Sequence, residues 1–390
     1  MTTDVHLASR MRDIKAFEVM KLLHRARDLE AIGRDIVHME IGEPDFISPE
    51  PIIEAGQQAL ADGKTHYTPA VGLQSLREAI SVHYARHYQA SVPVERIIIT
   101  PGASGALQLA CTVLLNPGDK VLMADPGYPC NRTFVRMVEA QTIDVPVTAE
   151  TGYQLDPHLL AKHWQAETVA AMLASPSNPT GTILSETMLA QLSDAAIKQG
   201  GRLLVDEIYH GLIYNATTTS MLTISDQHFV INSFSKYFGM TGWRVGWLVV
   251  PEEYIDAVDR LAQNIFLAAS TPAQYAALAA LDVKTETLLH ERRDEFARRR
   301  DYLVPALRQL GFKIDVEPQG AFYIYADCSQ FTNDSYQFAI DLLEKAGVAI
   351  TPGNDFGQFR AATHVRFAYT TSIDRLKEGV TRIANYLQAT

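Results

Sequence analysis

The sequence is poor in cysteine: Cys111, Cys130 and Cys328 are the three in 390 residues. Their wide spacing and odd number fit reduced thiols better than a disulfide framework or a metal site, so no metal is expected. No apolar run reaches the ~18 residues that a membrane-spanning helix takes. The opening stretch, MTTDVHLASRMRDIKAF, mixes both charges and lacks an apolar core, so it does not read as a secretory signal. Runs of Lys or Arg are missing too, and the formal charge of −11 argues against a nucleic-acid footprint. Small molecules are the expected partners, with no nucleic acid and no membrane, and the cytoplasm is the expected location. Internal repeats, low-complexity tracts and Pro/Gly/Ser-rich linkers are absent as well.

What the chain does have is 47% hydrophobic and 20% charged residues, enough to bury a large core in more than one folding unit. Short apolar runs alternate with longer amphipathic stretches, the pattern of an α/β chain with a mainly parallel sheet flanked by helices. Strands are expected at 96–100, 120–124, 141–146, 169–174, 202–205, 228–232 and 246–250, which makes a seven-stranded sheet. Helix-sized segments lie between them, among them 103–115 and 185–200. After about Leu281 a long charged helix is expected, then two strands, a helix, a strand and a last helix: a smaller α+β unit. The segment 17–32 has one apolar face, with Val19, Met20, Leu22, Leu23, Ala26 and Leu29, and is expected to pack on that C-terminal unit. Boundaries fall near residues 45 and 285.

Three segments at strand ends look like chemistry. Thr100-Pro101-Gly102-Ala103-Ser104-Gly105 joins a strand to a helix, and such a turn can offer N–H groups and the Ser104 hydroxyl to a phosphate, or be a plain small-residue turn. Ser177-Asn178-Pro179-Thr180-Gly181 follows the expected strand 169–174. Asn178 there is either a turn residue or a ligand contact. Asp206-Glu207-Ile208-Tyr209 ends the strand after that, where a buried acid needs a cationic partner. The sharpest stretch is Ser233-Phe234-Ser235-Lys236-Tyr237-Phe238-Gly239-Met240-Thr241-Gly242-Trp243-Arg244. Lys236 sits past a strand end among hydroxyls, aromatics and glycines rather than charges, as a functional amine requires. Arg244 can bring a guanidinium to a phosphate.

With these segments stand Ile41-Gly42-Glu43-Pro44-Asp45-Phe46, His66-Tyr67-Thr68-Pro69, Pro318-Gln319-Gly320-Ala321-Phe322-Tyr323 and Val365-Arg366-Phe367. In this order, over essentially the whole chain, they resemble the class I/II aminotransferases, fold type I pyridoxal-phosphate enzymes of the aspartate aminotransferase superfamily. The resemblance implies a large cofactor-binding domain over 45–285 and a small domain formed by both chain ends, 1–44 and 286–390. It implies that Lys236 is the Schiff-base lysine and proton shuttle for pyridoxal 5'-phosphate, and that Asp206 pairs with the protonated ring nitrogen. Asn178 and Tyr209 would bond the ring's phenolic oxygen, and Tyr128 would stack on its face. Ala103, Ser104, Ser233 and Arg244 would hold the phosphate, with Tyr67 reaching over from the second subunit of a homodimer. Arg366, beside the Gly42 backbone, would grip the substrate α-carboxylate.

The implied reaction is ping-pong transfer of the α-amino group of an L-amino acid to a 2-oxo acid, with 2-oxoglutarate the expected acceptor. A β-lyase on the same fold is the alternative, and a non-catalytic cofactor-sensing regulator a remoter one. Aspartate, alanine and aromatic donors stay open, because side-chain pockets do not fall in motifs. Two stretches depart from the commoner family wording, 126–131 and 353–360. Arg360, in the second, reads as an exposed arginine rather than one that binds an acidic substrate side chain, Trp243 as a core residue and Cys130 as a small buried hydrophobe.

Overall fold

A computed structural model describes residues 6–389. Its strands, in chain order, are β1 (Val37–His38), β2 (Ile97–Thr100), β3 (Lys120–Asp125), β4 (Gln141–Pro146), β5 (Thr168–Ala174), β6 (Arg202–Asp206), β7 (Phe229–Ser233), β8 (Gly246–Val249), β9 (Tyr323–Asp327), β10 (Val348–Ala349), β11 (Thr351–Pro352) and β12 (His364–Ala368). Seven make one sheet in the order β2-β8-β7-β6-β5-β3-β4. β8 runs antiparallel to β2 and β7, and the other pairs are parallel. This is the expected mainly parallel α/β sheet.

Strands such as Ala-Ala-Met-Leu and Leu-Leu-Val are apolar throughout because both faces of the sheet are covered. Side chains alternate across a strand, so Ile97, Ile99, Leu203, Val205, Val230 and Trp247 fall in one buried cluster. Ile98, Leu204, Phe229, Ile231 and Leu248 fall in another, under the helix Gly102–Leu114. The same alternation sends Asp206 to the side of Leu204 and Glu207 to the opposite side. There the Glu207 carboxylate accepts the Met221 N–H at 2.8 Å and the Ser220 hydroxyl at 2.9 Å. One residue of phase thus separates an acid facing the site from an acid that holds structure.

β1 pairs in parallel with β10, so a strand near the start of the chain joins one near its end. β11, β12 and β9 make a three-stranded antiparallel sheet. The helix Glu18–Ala31 buries Leu22, Ala26 and Leu29 with Leu342, Val348 and Ile350, the C-terminal packing its apolar face called for. Two strands were expected after the long helix Val283–Gln309, and one forms, β9; the segment before it keeps isolated bridges, Lys313 to Asp327 and Gly320 to Ile213. The reason is local: Pro318 cannot donate to a ladder, and the N–H groups of Gln319 and Gly320 both go to the Gly181 carbonyl, at 2.9 Å. No helix among the described residues is long and apolar enough to cross a membrane.

Leu204 is fully buried at the centre of the sheet. Leu204→Ala should cost about 2–5 kcal/mol of unfolding free energy, seen as a lower denaturant midpoint at unchanged slope. A loss below ~1 kcal/mol would show that this face is not packed as described.

Candidate active site

β3, β5, β6 and β7 point their C-terminal ends at one edge of the sheet, where α/β folds hold ligands. A cavity of about 310 Å³ opens at that edge. Of the residues singled out in the sequence, Gly42, Ala103, Ser104, Tyr128, Asn178, Asp206, Tyr209, Lys236, Arg244 and Arg366 line it. Ser233 and Tyr67 do not. The Ser233 hydroxyl is buried behind the wall, accepting the Ser235 N–H at 3.1 Å and lying 2.9 Å from the Ser235 hydroxyl. Ser235 is the serine on the cavity. Tyr67 is 82% exposed, on a loop held to the helix Thr271–Ala280 through the His66 carbonyl and the Thr68 hydroxyl.

Lys236 follows β7 and donates from Nζ to the Gly42 carbonyl at 2.7 Å. Burial pushes its pKa down to about 8, so near that pH half of the amine is neutral and nucleophilic. Asp206, at the end of β6, accepts the Ile208 N–H at 3.0 Å. Burial pushes its carboxyl up to about 6, against the opposing pull of that N–H and of Lys236. Since the Lys236 amine is turned to Gly42, Asp206 has no cation paired with it among the described residues. A cationic ligand would relieve that burial cost.

Arg366, on β12, is buried between the rings of Tyr323 and Phe356, whose centroids lie 4.3 and 4.9 Å from its guanidinium carbon. It donates to Asn178 Oδ1 at 2.9 Å, to the Glu40 carbonyl at 2.5 Å and to Thr351 Oγ1 at 3.2 Å. All three partners are neutral, and Nε is buried without an acceptor. Such a guanidinium is prepared for an anion. Gly42 is bare for a steric reason, because a Cβ there would stand 2.0 Å from the Tyr323 hydroxyl. That hydroxyl is 2.8 Å from the hydroxyl of Tyr209.

The helix Gly102–Leu114 begins at the cavity, and its first-turn N–H groups have no acceptors within the helix. With the helix dipole they make an anion seat. Arg244 closes it, donating to the Thr241 carbonyl at 3.0 Å and, at 3.4 Å, to the Ser235 hydroxyl. The guanidinium fits only because Gly102, at φ 70°, has no side chain: a Cβ would lie 2.5 Å from Nη2. An amine for a carbonyl group, an acid wanting a cation, an anion seat and an aromatic at the rim, Tyr128, together fit pyridoxal phosphate. Trp243 is half-buried against the core and donates to Ser48 at 2.9 Å. Arg360 is exposed over Phe359. Cys130 differs from its expected burial: it is half-buried, 3.1 Å from the Tyr128 hydroxyl.

Sequence reasoning gave no site role to Ser235, Tyr323, Asp355 or Phe17, and it read Val19 and Met20 only as packing positions of the N-terminal helix; all six line the cavity. Ser235 was recoverable, since residues two apart in Ser-Phe-Ser share a side. Asp355 was not, because its importance lies in accepting the Glu18 and Val19 N–H groups, 337 and 336 residues away in sequence.

The family described as Aminotransferase class I and II matches residues 34–383. The chain is 36% identical to the (5-formylfuran-3-yl)methyl phosphate transaminase of Methanocaldococcus jannaschii, over 98% of this chain and 99% of that one. It is 35% identical to the valine–pyruvate aminotransferase of Mycobacterium tuberculosis, over 96% and 97%. The structure of the aspartate aminotransferase from Thermus thermophilus with maleate superposes with a TM-score of 0.92, at 34% identity, over 98% of this chain and 99% of that one.

The depressed Lys236 pKa sets a pH dependence. The amine is protonated and inert below about 8 and neutral above it, so covalent uptake of pyridoxal phosphate by the cofactor-free protein should speed up with rising pH and level off past that value. A midpoint near the ordinary 10.5 would mean that the amine is solvated.

Proposed function

Because the chain belongs to the class I and II aminotransferases, we propose which of its residues carry out the transfer. The enzyme depends on pyridoxal phosphate and moves the α-amino group of an amino acid to a 2-oxo acid. When bound, the cofactor supplies an electron sink for the pair of electrons left on the substrate α-carbon. Lys236 holds the cofactor's carbonyl end. As a neutral amine it would move the proton at the substrate α-carbon, which its lowered pKa permits. Asp206, ionised, favours a protonated ring nitrogen and so deepens the sink.

Asn178 spends its Oδ1 on Arg366, which leaves its NH₂ to donate to the ring's phenolic oxygen beside Tyr209. Tyr128 covers one ring face. Ala103, Ser104, Ser235 and Arg244 take the phosphate, with Ser233 behind Ser235 as its support. Arg366 and the Gly42 backbone hold the substrate α-carboxylate, and one guanidinium serves both half-reactions because donor and acceptor share that group. The observation that carries the assignment is a desolvated amine and a cation-seeking acid at one sheet edge, facing a buried guanidinium with neutral partners only.

The resemblance implies 2-oxoglutarate as acceptor, and the tuberculosis relative's name points to pyruvate. The division into 45–285 and 1–44 with 286–390 is supported by the strands: the seven-stranded sheet lies within the first span, and the two smaller sheets draw their strands from the second. The exposed Tyr67 suits a homodimer in which it completes the partner's phosphate seat, and the cytoplasm is the location we assign.

Lys236→Ala should abolish covalent uptake of pyridoxal phosphate and all transfer, and Asp206→Asn should lower kcat by about 100-fold or more. Absorbance of the cofactor, before and after a panel of amino acids, reads both. If the wild type releases ammonia and pyruvate instead of aminating the cofactor, the lyase reading replaces this one. For the dimer the measurement is sedimentation of the working enzyme, where a fully active monomer would remove Tyr67 from the site.

A further inference from the structure

Beyond Arg366 the cavity runs to a wall that the transfer chemistry does not use. Phe17, Val19 and Met20 at the start of the helix Glu18–Ala31, with Phe134 and Phe356, line it. The wall is held in place. Both carboxylate oxygens of Asp355 accept backbone N–H groups of that helix, from Glu18 at 2.7 Å and Val19 at 2.8 Å. The next residue, Phe356, lies against the Arg366 guanidinium. One short segment therefore ties the group that takes the α-carboxylate to the surface that meets the substrate side chain.

The cavity is lined by three acids, Glu40, Asp206 and Asp355, and three bases. Among the described residues its basic side chains are Lys236, Arg244 and Arg366, each with a place in the chemistry above. Around the wall stand Asp355, which is buried, Glu18, which takes a hydrogen bond from Lys21 at 2.9 Å, and Arg132, which donates to the Phe356 carbonyl at 3.3 Å and to Asp144 at 2.8 Å; neither Lys21 nor Arg132 lines the cavity. With its α-carboxylate on Arg366, aspartate or glutamate would bring a second carboxylate against phenyl and alkyl groups and near Asp355, where no further cation lines the cavity among the described residues. An apolar side chain there loses only its ordered water.

We propose that the donor is an L-amino acid with an apolar side chain, branched, thioether or aromatic, and that Phe17, Val19, Met20 and Phe134 set this choice. The proposal rests on Arg366 taking the α-carboxylate. The same wall meets the incoming 2-oxo acid, so pyruvate and apolar 2-oxo acids outrank 2-oxoglutarate as acceptors.

The test compares the holoenzyme's kcat/KM for leucine, methionine and phenylalanine with that for aspartate and glutamate. Calorimetric binding of the inert acids 4-methylpentanoate, 3-phenylpropanoate and succinate is measured beside it. The best apolar donor should exceed aspartate by about 100-fold, in the range that apolar pockets discriminate, and succinate should bind most weakly. Val19→Lys should close the gap by about 10-fold by giving a second carboxylate its cation; Phe134→Lys provides the same reading if the first variant fails to fold. Equal or better use of aspartate, together with tighter succinate binding, overturns the donor class and leaves the aminotransferase assignment standing. Failure of every amino acid to react, with none of the three acids bound, instead removes Arg366 from the carboxylate site and both readings with it.

Discussion

Asp206, Lys236 and Arg366 bring their charges to one desolvated sheet edge without neutralising one another. Keeping each ion there costs several kcal/mol in lost hydration, and only a scaffold stable on other grounds can hold it. The scaffold here is the seven-stranded sheet buried on both faces, whose alternating side chains feed two apolar clusters. Its parallel strands carry the acids and the amine to a common edge without spending backbone hydrogen bonds on the site itself. The cost then becomes binding energy, since each unmatched charge is repaid by the ligand group that matches it.

The local part of this was plain in the sequence. Apolar runs bounded by Gly, Pro and Asn located the sheet strands to within a residue, because strands covered on both faces have little freedom of composition. Asp206, Asn178 and Lys236 were legible for a related reason: each breaks an apolar pattern at a strand end, where polarity needs a cause. The expected second strand after the long helix was misread because a glycine–proline segment with some apolar character docks on Gly181 instead of pairing. Contacts over hundreds of residues left no trace at all. Nothing near Asp355 announces that it holds the first turn of the N-terminal helix, and nothing in Phe17 or Val19 says that they line the cavity.

Tyr323 shows how a residue can be conspicuous in a motif and still be silent about its task. Its ring stacks on Arg366, its hydroxyl meets Tyr209, and it leaves no room for a side chain at Gly42. Position 42 is small so that the carbonyl reached by Lys236 and the ring beneath Arg366 can be neighbours. The amine and the guanidinium, on different sheets, are spaced by that one contact.

The pairing of β1 with β10 places Val37 beside Val348, and this orders events during synthesis. The large sheet has all its strands once Val249 has been made. β1 must wait for a partner some 311 residues downstream, roughly 15–60 s at about 5–20 residues per second. Arg366 and the segment that anchors the N-terminal helix are made later still. On the ribosome, Ala103, Ser104, Lys236 and Arg244 are therefore made before Asp355 and Arg366, and the two halves of the cavity wall come from different stages of synthesis.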